Sequence, residues 1–320
     1  MNGNANVIDW LLERENPSIR YRTLTELLDR PADDADVVEA KAQIPTSPAV
    51  TRILDKMHPD GYWLQKNPRS GEITGDGVKY GSYATTHFCL AYLSELGLDK
   101  THPQVHKAAD RYLSLQQDDG DFRRHYSCLT GYNIRTFVRL GYRDDPRLQK
   151  SIDLMLNTVR EDGGYLCDMH AGKYKTRETK SCIRGSLKVL LAFAELPEYW
   201  EYERILTLVD YFLKRDCIFK MKDRSRLVRK EITRTVFPIT WQTGLTEILY
   251  ALSKMGYGNR EEVERAWTLL EEKRTGEGAY IMDYTPTQAL LKPGKRGEPN
   301  TWITLYALLA RKHRHESDQP

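Results

Sequence analysis

The ten residues LSLQQDDGDF, Leu113 to Phe122, carry the pattern that organises this chain. Leu113 is followed seven positions later by Gly120 and two positions after that by an aromatic, Phe122. The same columns recur without gaps at Leu54, Gly61 and Trp63, and again at Leu156, Gly163 and Tyr165. A looser copy, one residue longer, runs Leu270, Gly278, Tyr280. Asp60, Asp119 and Asp162 stand directly before the first three glycines. The leucine belongs to a helix, as in Val105 to Gln117, where apolar residues return at helical spacing. Asp-Gly ends that helix, because glycine accepts the left-handed backbone of a tight C-terminal turn. The aromatic is expected to plug the turn against neighbouring helices.

A second series lies between these turns. Leu96-Gly97, Leu140-Gly141 and Met255-Gly256 each close an apolar helix and lead through a polar turn into the next one. Each unit therefore reads helix, glycine turn, helix, Asp-Gly-x-aromatic turn. No convincing run of period-two strands interrupts the series. The fold class is all-α, an array of helical hairpins, and periodicity alone leaves an open solenoid and a closed ring both standing.

Ala109, Tyr112, Leu113, Gln117, Gly120 and Phe122 together resemble the repeat motif of squalene cyclases, with Phe where that motif has Trp. In the next copy Met155 and Arg160 replace its aromatic and its Gln. From about Val50 to Arg311 the chain is similar to the prenyltransferase and squalene-cyclase superfamily. Trp10-Leu11-Leu12, Asn16 to Tyr21, Ser127 to Gly131, Phe237-Pro238-x-x-Trp241 and Asn300 to Leu305 further resemble a group of bacterial toroid proteins of unsettled function. The resemblance implies an alpha/alpha toroid of about five helical-hairpin repeats over 50–311. An N-terminal helical hairpin cap, broken at Pro17, is expected over 1–49, and a disordered tail over 312–320.

Composition agrees with a globular chain. Of 320 residues 40% are hydrophobic, enough for a sizeable core, and a net charge of +3 implies no wholesale nucleic-acid binding. There is no stretch long and apolar enough for a transmembrane segment and no signal-peptide pattern over Met1 to Trp10. Five cysteines, an odd number, point to a reducing cytoplasm rather than a disulfide scaffold. Dinucleotide, P-loop, HExxH and GxSxG motifs are absent.

Two segments share the pattern S-C-x-x-G: Ser127-Cys128-Leu129-Thr130-Gly131 and Ser181-Cys182-Ile183-Arg184-Gly185. Each opens the first helix of its repeat, and Cys167 lies in the connection between them. In a toroid such helix starts rim one mouth of the central cavity. Cys128, Cys167 and Cys182, completed by His170, Asp168 or water, are candidate ligands for Zn²⁺, since thiolate and imidazole suit zinc and helix N-termini favour thiolate. Protein prenyltransferases and lanthipeptide cyclases carry zinc at such a mouth, although their ligand motifs do not match here residue by residue. The blander reading is small residues buried at helix starts, with or without an adventitious disulfide.

The Asp-x-Asp-Asp acid of class II terpene cyclases has no counterpart in the repeats. Asp33-Asp34-Ala35-Asp36 is out of order and reads as a solvated linker, so Asp121 and His125 are the catalytic candidates. Tyr83, His87, Tyr132, Trp241 and Trp302 lie near the inner-helix starts and are candidate substrate-binding residues. The run Lys220, Lys222, Arg224, Arg226, Arg229, Lys230, Arg234 reads either as a clamp for a diphosphate or, more blandly, as a mobile surface loop. Two functions follow: an enzyme-like toroid holding an apolar, isoprenoid-like ligand, or a scaffold that kept the ring and lost catalysis.

Overall fold

Burial sorts the helices into two kinds, and that sorting builds the ring. The computed structural model describes residues 3–63, 65–66, 73–74, 84–123, 125–168, 180–287 and 290–316. Among them are α1 (Gly3–Leu11), α2 (Pro17–Arg22, prolonged by a π-helical turn, Thr23–Leu27), α3 (Ala35–Gln43) and α4 (Pro48–Leu54). Then follow α5 (Thr86–Glu95), α6 (Pro103–Leu113), α7 (Ser127–Arg139), α8 (Pro146–Asn157) and α9 (Ile183–Phe193). The last are α10 (Glu203–Leu213), α11 (Leu245–Lys254), α12 (Glu261–Glu271) and α13 (Thr301–Glu316).

All ten residues of α5 are buried, and α7, α9, α11 and α13 are covered on nearly every side. These are inner helices. By contrast α6 buries only Val105, Ala108, Ala109, Tyr112 and Leu113, and α12 only Val263, Ala266, Trp267 and Leu270. Those spacings of three and four make one apolar stripe, so these helices lie outside with a wet face.

The inner helices run parallel. Gly131 in the first half of α7 meets the middle of α9, where a methyl group would come within 2.7 Å of Val189 N. Near their ends Arg139 of α7 and Lys254 of α11 both pair with Glu195, just past α9. Inner neighbours follow the order α5, α7, α9, α11, α13. The N-terminal pair completes the circle: α2 and its π turn pack on α13, and Arg22 reaches Glu95 at the end of α5.

The turns are built as their glycines require. Gly61, Gly120, Gly163 and Gly278 have φ of 85°, 91°, 79° and 91°, and the aromatics Trp63, Phe122, Tyr165 and Tyr280 are buried behind them. A latch not read from the sequence secures three of these turns. The backbone N–H groups of Trp63, Tyr165 and Tyr280 donate to the hydroxyls of Thr86, Ser186 and Thr304 on inner helices.

Several expectations are corrected. Asp34 is no linker residue, because its carboxylate caps α3 by accepting from Asp36 and Val37 N–H. Helix α13 continues to Glu316, so 312–316 are helical rather than disordered; Lys312 pairs with Asp29 and Arg314 with Glu264, while 317–320 lie outside the described residues. Strands are present as three short antiparallel ribbons: β1 (Met57–His58) with β2 (Tyr62–Trp63), β3 (Gln65–Lys66) with β4 (Ile73–Thr74), and β5 (Phe219–Lys220) with β6 (Asp223–Leu227). The last ribbon holds half of the basic run. It is fastened rather than loose: Arg224 and Arg265 both pair with Asp216, and the Arg265 guanidinium lies 3.5 Å over the Phe219 ring.

Candidate functional site

Parallel inner helices give the ring two unlike ends. Their C-terminal halves converge on a buried charge network. Glu95 accepts from Arg22 at 2.9 Å, from Arg135 and from the Tyr306 hydroxyl, while Arg22 also forks onto Glu26 at 2.7 and 2.8 Å. Glu195 takes Lys254, Arg135 and Arg139. Burial by itself would raise the Glu95 carboxyl, but Arg135, Arg139, Arg22 and the Tyr306 hydroxyl together hold it down to about 2. This network has a member on α2, α5, α7, α11 and α13 and ties those helices together.

Lys188, midway along α9, and Glu247, in the first turn of α11, form an ion pair at side-chain exposures of 1% and 2%. Among the described residues Glu247 Oε1 has no hydrogen-bond partner. Burial raises the Glu247 carboxyl and lowers the Lys188 ammonium, each against the pull of its partner, so both lean toward the neutral form.

The N-terminal end is a cationic mouth. Beside the starts of four inner helices an arginine lies over an aromatic ring: Arg123 over Tyr126 (5.5 Å), Arg184 over Trp241 (5.0 Å), and Arg234 and Arg296 over Tyr284 (5.6 and 5.2 Å). Arg234 is placed by its carbonyl, which accepts from Leu245 N–H at the head of α11. Glu231 is the acidic group set among Arg229, Arg184 and Arg234, which help hold its carboxyl low after the backbone hydrogen bond does so first. The inner-helix N-termini add their own partial positive charge. Of the four stacked arginines only Arg234 belongs to the basic run, so the set is assembled from residues scattered through the sequence.

The three cysteines meet on the same rim. Cys128 Sγ and Cys167 Sγ are 3.1 Å apart, and a methyl group at Gly185 would sit 3.8 and 3.9 Å from the Cβ atoms of Cys182 and Cys128. The sulfur contact with Cys128, together with burial, pushes the Cys167 thiol far up. Two thiolates on one tetrahedral zinc stand about 3.8 Å apart, so this pair would open by about 0.7 Å to share an ion. Among the described residues no three His, Cys, Asp or Glu side chains are placed as a metal ligand set. His170 lies outside the described residues, and Asp168 is exposed.

The remaining sequence candidates separate. Asp121 is fully buried and braces its own turn, accepting from the Thr130 hydroxyl at 2.7 Å and from His125 N–H. His125 is exposed at φ 52°, its Nε2 3.8 Å from Asp119. His87 is buried against Phe88, and burial followed by the nearby Arg123 lowers its pKa to about 3, which makes it a neutral core imidazole. Tyr132 and Trp302 are core as well: the Tyr132 hydroxyl donates to Ile239 O, and Trp302 stacks on Phe237 at 4.5 Å. Among the described aromatic candidates, Trp241 is the one beside the stacked arginines. Tyr83 lies outside the described residues.

No family model and no curated protein matches the chain. Among solved structures, a protein from Actinoplanes is 13% identical, with 86% of this chain and 99% of that chain covered and a TM-score of 0.37. The type II terpene cyclase MstE from Scytonema, in its apo form, is 13% identical over 87% of this chain and 99% of that chain, with a TM-score of 0.33. A variant of that cyclase in complex with geranylgeranyl dihydroxybenzoate is 14% identical over 88% and 99%, with a TM-score of 0.34. Likeness this distant carries no argument about chemistry. The chain's own contacts define its class: an all-α toroid, with a buried charge network toward one end and stacked arginines at the other.

Proposed function

We propose that this toroid is enzyme-like and takes an amphiphile by both ends, an apolar, isoprenoid-like chain within the ring and an anionic head at the mouth. The observation that carries the reading is the set Arg123, Arg184, Arg234 and Arg296, each laid on an aromatic beside an inner-helix start. Stacking holds a guanidinium flat and leaves its positive charge in place, which a phosphate or carboxylate head would meet. The charge network lies toward the opposite end, so in this reading the apolar tail enters past the arginines.

Within the ring Glu247 is the group suited to give a proton. It is a carboxyl raised by burial, with one oxygen uncommitted, on the helix next to the cysteine-bearing pair. It takes the place of the acid motif that the sequence lacks. Zinc at the thiol corner is a separable part of the proposal, with Cys128, Cys167 and Cys182 as thiolate ligands and His170 as the fourth. About one equivalent of metal, lost in a Cys128→Ser/Cys182→Ser variant, supports that part; no metal removes it.

Quenching of tryptophan fluorescence by geranylgeranyl diphosphate, geranylgeraniol and inorganic diphosphate tests the main reading. The diphosphate ester is expected to bind at least tenfold more tightly than either half. An ester that binds no better than inorganic diphosphate overturns the apolar cavity. Failure of all three to bind favours the scaffold reading.

A further inference from the structure

We propose that Cys128 and Cys167 are a peroxide-operated dithiol pair on the rim, a modification site that goes beyond the ligand reading and does not rest on it. The sulfurs are already in contact at 3.1 Å, and about 1 Å of approach makes a disulfide. The two segments that carry them are held face to face. Ser127 Oγ donates to Leu166 O at 3.3 Å, and Asp168 N–H donates to His125 O at 3.4 Å. The backbone on both sides of the pair is therefore tied before any bond forms.

The two thiols differ in what can reach them. Cys128 is partly exposed in the first turn of α7. Cys167 is 1% exposed, behind it. That is the arrangement of an attacking and a resolving cysteine. The Cys128 thiolate attacks one oxygen of hydrogen peroxide; an S–O bond forms, the O–O bond breaks, and hydroxide leaves, taking up a proton to become water. Cys167 sulfur then attacks the Cys128 sulfenic acid. The S–S bond forms, the S–O bond breaks, and the second water leaves with the Cys167 proton. Peroxide is reduced to two waters and the two thiols are oxidised to one disulfide. The bond would staple the head of α7 to the segment entering α9, between Arg123 and Arg184 of the mouth.

Cys182 approaches the same corner through the space beside Gly185, and it is the competitor to be distinguished. Cys89 and Cys217 are buried on other elements and serve as internal references.

The test uses the full chain, washed with chelator, titrated with hydrogen peroxide and followed by thiol counting and peptide mapping under non-reducing conditions. The expected result is loss of two thiols with Cys128 linked to Cys167, while Cys89 and Cys217 stay reduced. A Cys167→Ser variant should stop at the sulfenic acid, trapped at Cys128 by dimedone, and Cys128→Ser should leave Cys167 unoxidised. Circular dichroism checks that both variants are folded, and Cys128→Ala and Cys167→Ala provide second versions of each. A Cys128–Cys182 link, unchanged thiol counts, or dimedone labelling of Cys167 in place of Cys128 overturns the proposal.

Discussion

Arg22 and Glu95 are 73 positions apart in the chain and 2.9 Å apart in space, at side-chain exposures of 1% and 3%. One ends α2 and the other ends α5, so their contact joins the N-terminal hairpin to the repeats. A charge taken that far from water is stable only while its partners remain, and removing one partner strands the rest.

Glu95→Gln keeps the shape and removes the charge. It is expected to destabilise the fold by about 3–5 kcal/mol in urea unfolding at pH 7. The pH profile is a second readout. A carboxyl held near 2 when folded, against about 4.3 unfolded, stabilises the fold above pH 4.3 and loses that contribution as pH falls toward 2. His87 adds to the acid loss from higher pH. Its folded imidazole stays neutral down to about 3 while an unfolded one takes a proton below about 6.5, so its share declines between those values. Glu95→Gln should flatten the profile below pH 4.3 and leave the His87 part intact.

The two glycines of the S-C-x-x-G pair do different work. A methyl group at Gly131 would meet Val189 N at 2.7 Å, whereas at Gly185 the nearest atom is Tyr165 O at 3.7 Å. Gly131→Ala should force α7 and α9 apart at a cost of about 1–3 kcal/mol. Gly185→Ala should be neutral or stabilise by about 0.5–1 kcal/mol, as alanine does within a helix. Thermal unfolding of the two variants side by side decides it; equal losses would contradict the close helix contact.

Lys188 and Glu247 should behave as one unit. Lys188→Met or Glu247→Gln alone leaves a buried polar partner behind and is expected to cost about 3–5 kcal/mol. The double variant should cost clearly less than the sum, with a coupling of about 1–3 kcal/mol in a double-mutant cycle. Additive losses would show that the two groups do not depend on each other.

Arg184→Ala should weaken geranylgeranyl diphosphate binding by about tenfold, the scale of one charge-assisted contact. Geranylgeraniol binding should be unchanged, because the substitution touches only the head. The comparison is made by fluorescence titration at fixed salt, and equal losses for both compounds would place Arg184 against the tail.

Local chemistry was legible and convergence was not. Gly61, Gly120 and Gly163 announce left-handed turns because few other residues accept that backbone, and the stripe over Val105 to Leu113 announces an outer helix. Asp34 was readable too, as a cap ahead of Val37 and Val38, but its acidic neighbours disguised it as linker. Arg22, Glu95, Arg135, Glu195 and Tyr306 look like ordinary surface residues in one dimension, and only ring closure brings them together. The mouth was hidden for the same reason. Arg123, Arg184, Arg234 and Arg296 each stand in a different repeat, while the conspicuous run over 220–234 drew the eye to a ribbon already fastened to Asp216. The cysteines were easier to find, since a repeated motif at equivalent helix starts places its members on one rim.

Because Arg22 contacts Tyr306, 284 positions downstream, the innermost charges cannot all be satisfied while the chain is still emerging from the ribosome. The hairpins can form in succession, each latched by its own turn, but Glu95 must wait for α13 to bring its hydroxyl. Final assembly is thus a late, long-range event set by chain topology. Until then the nascent ring stands open on a seam of unpaired charge, which resists sticking to other chains more than an apolar seam would.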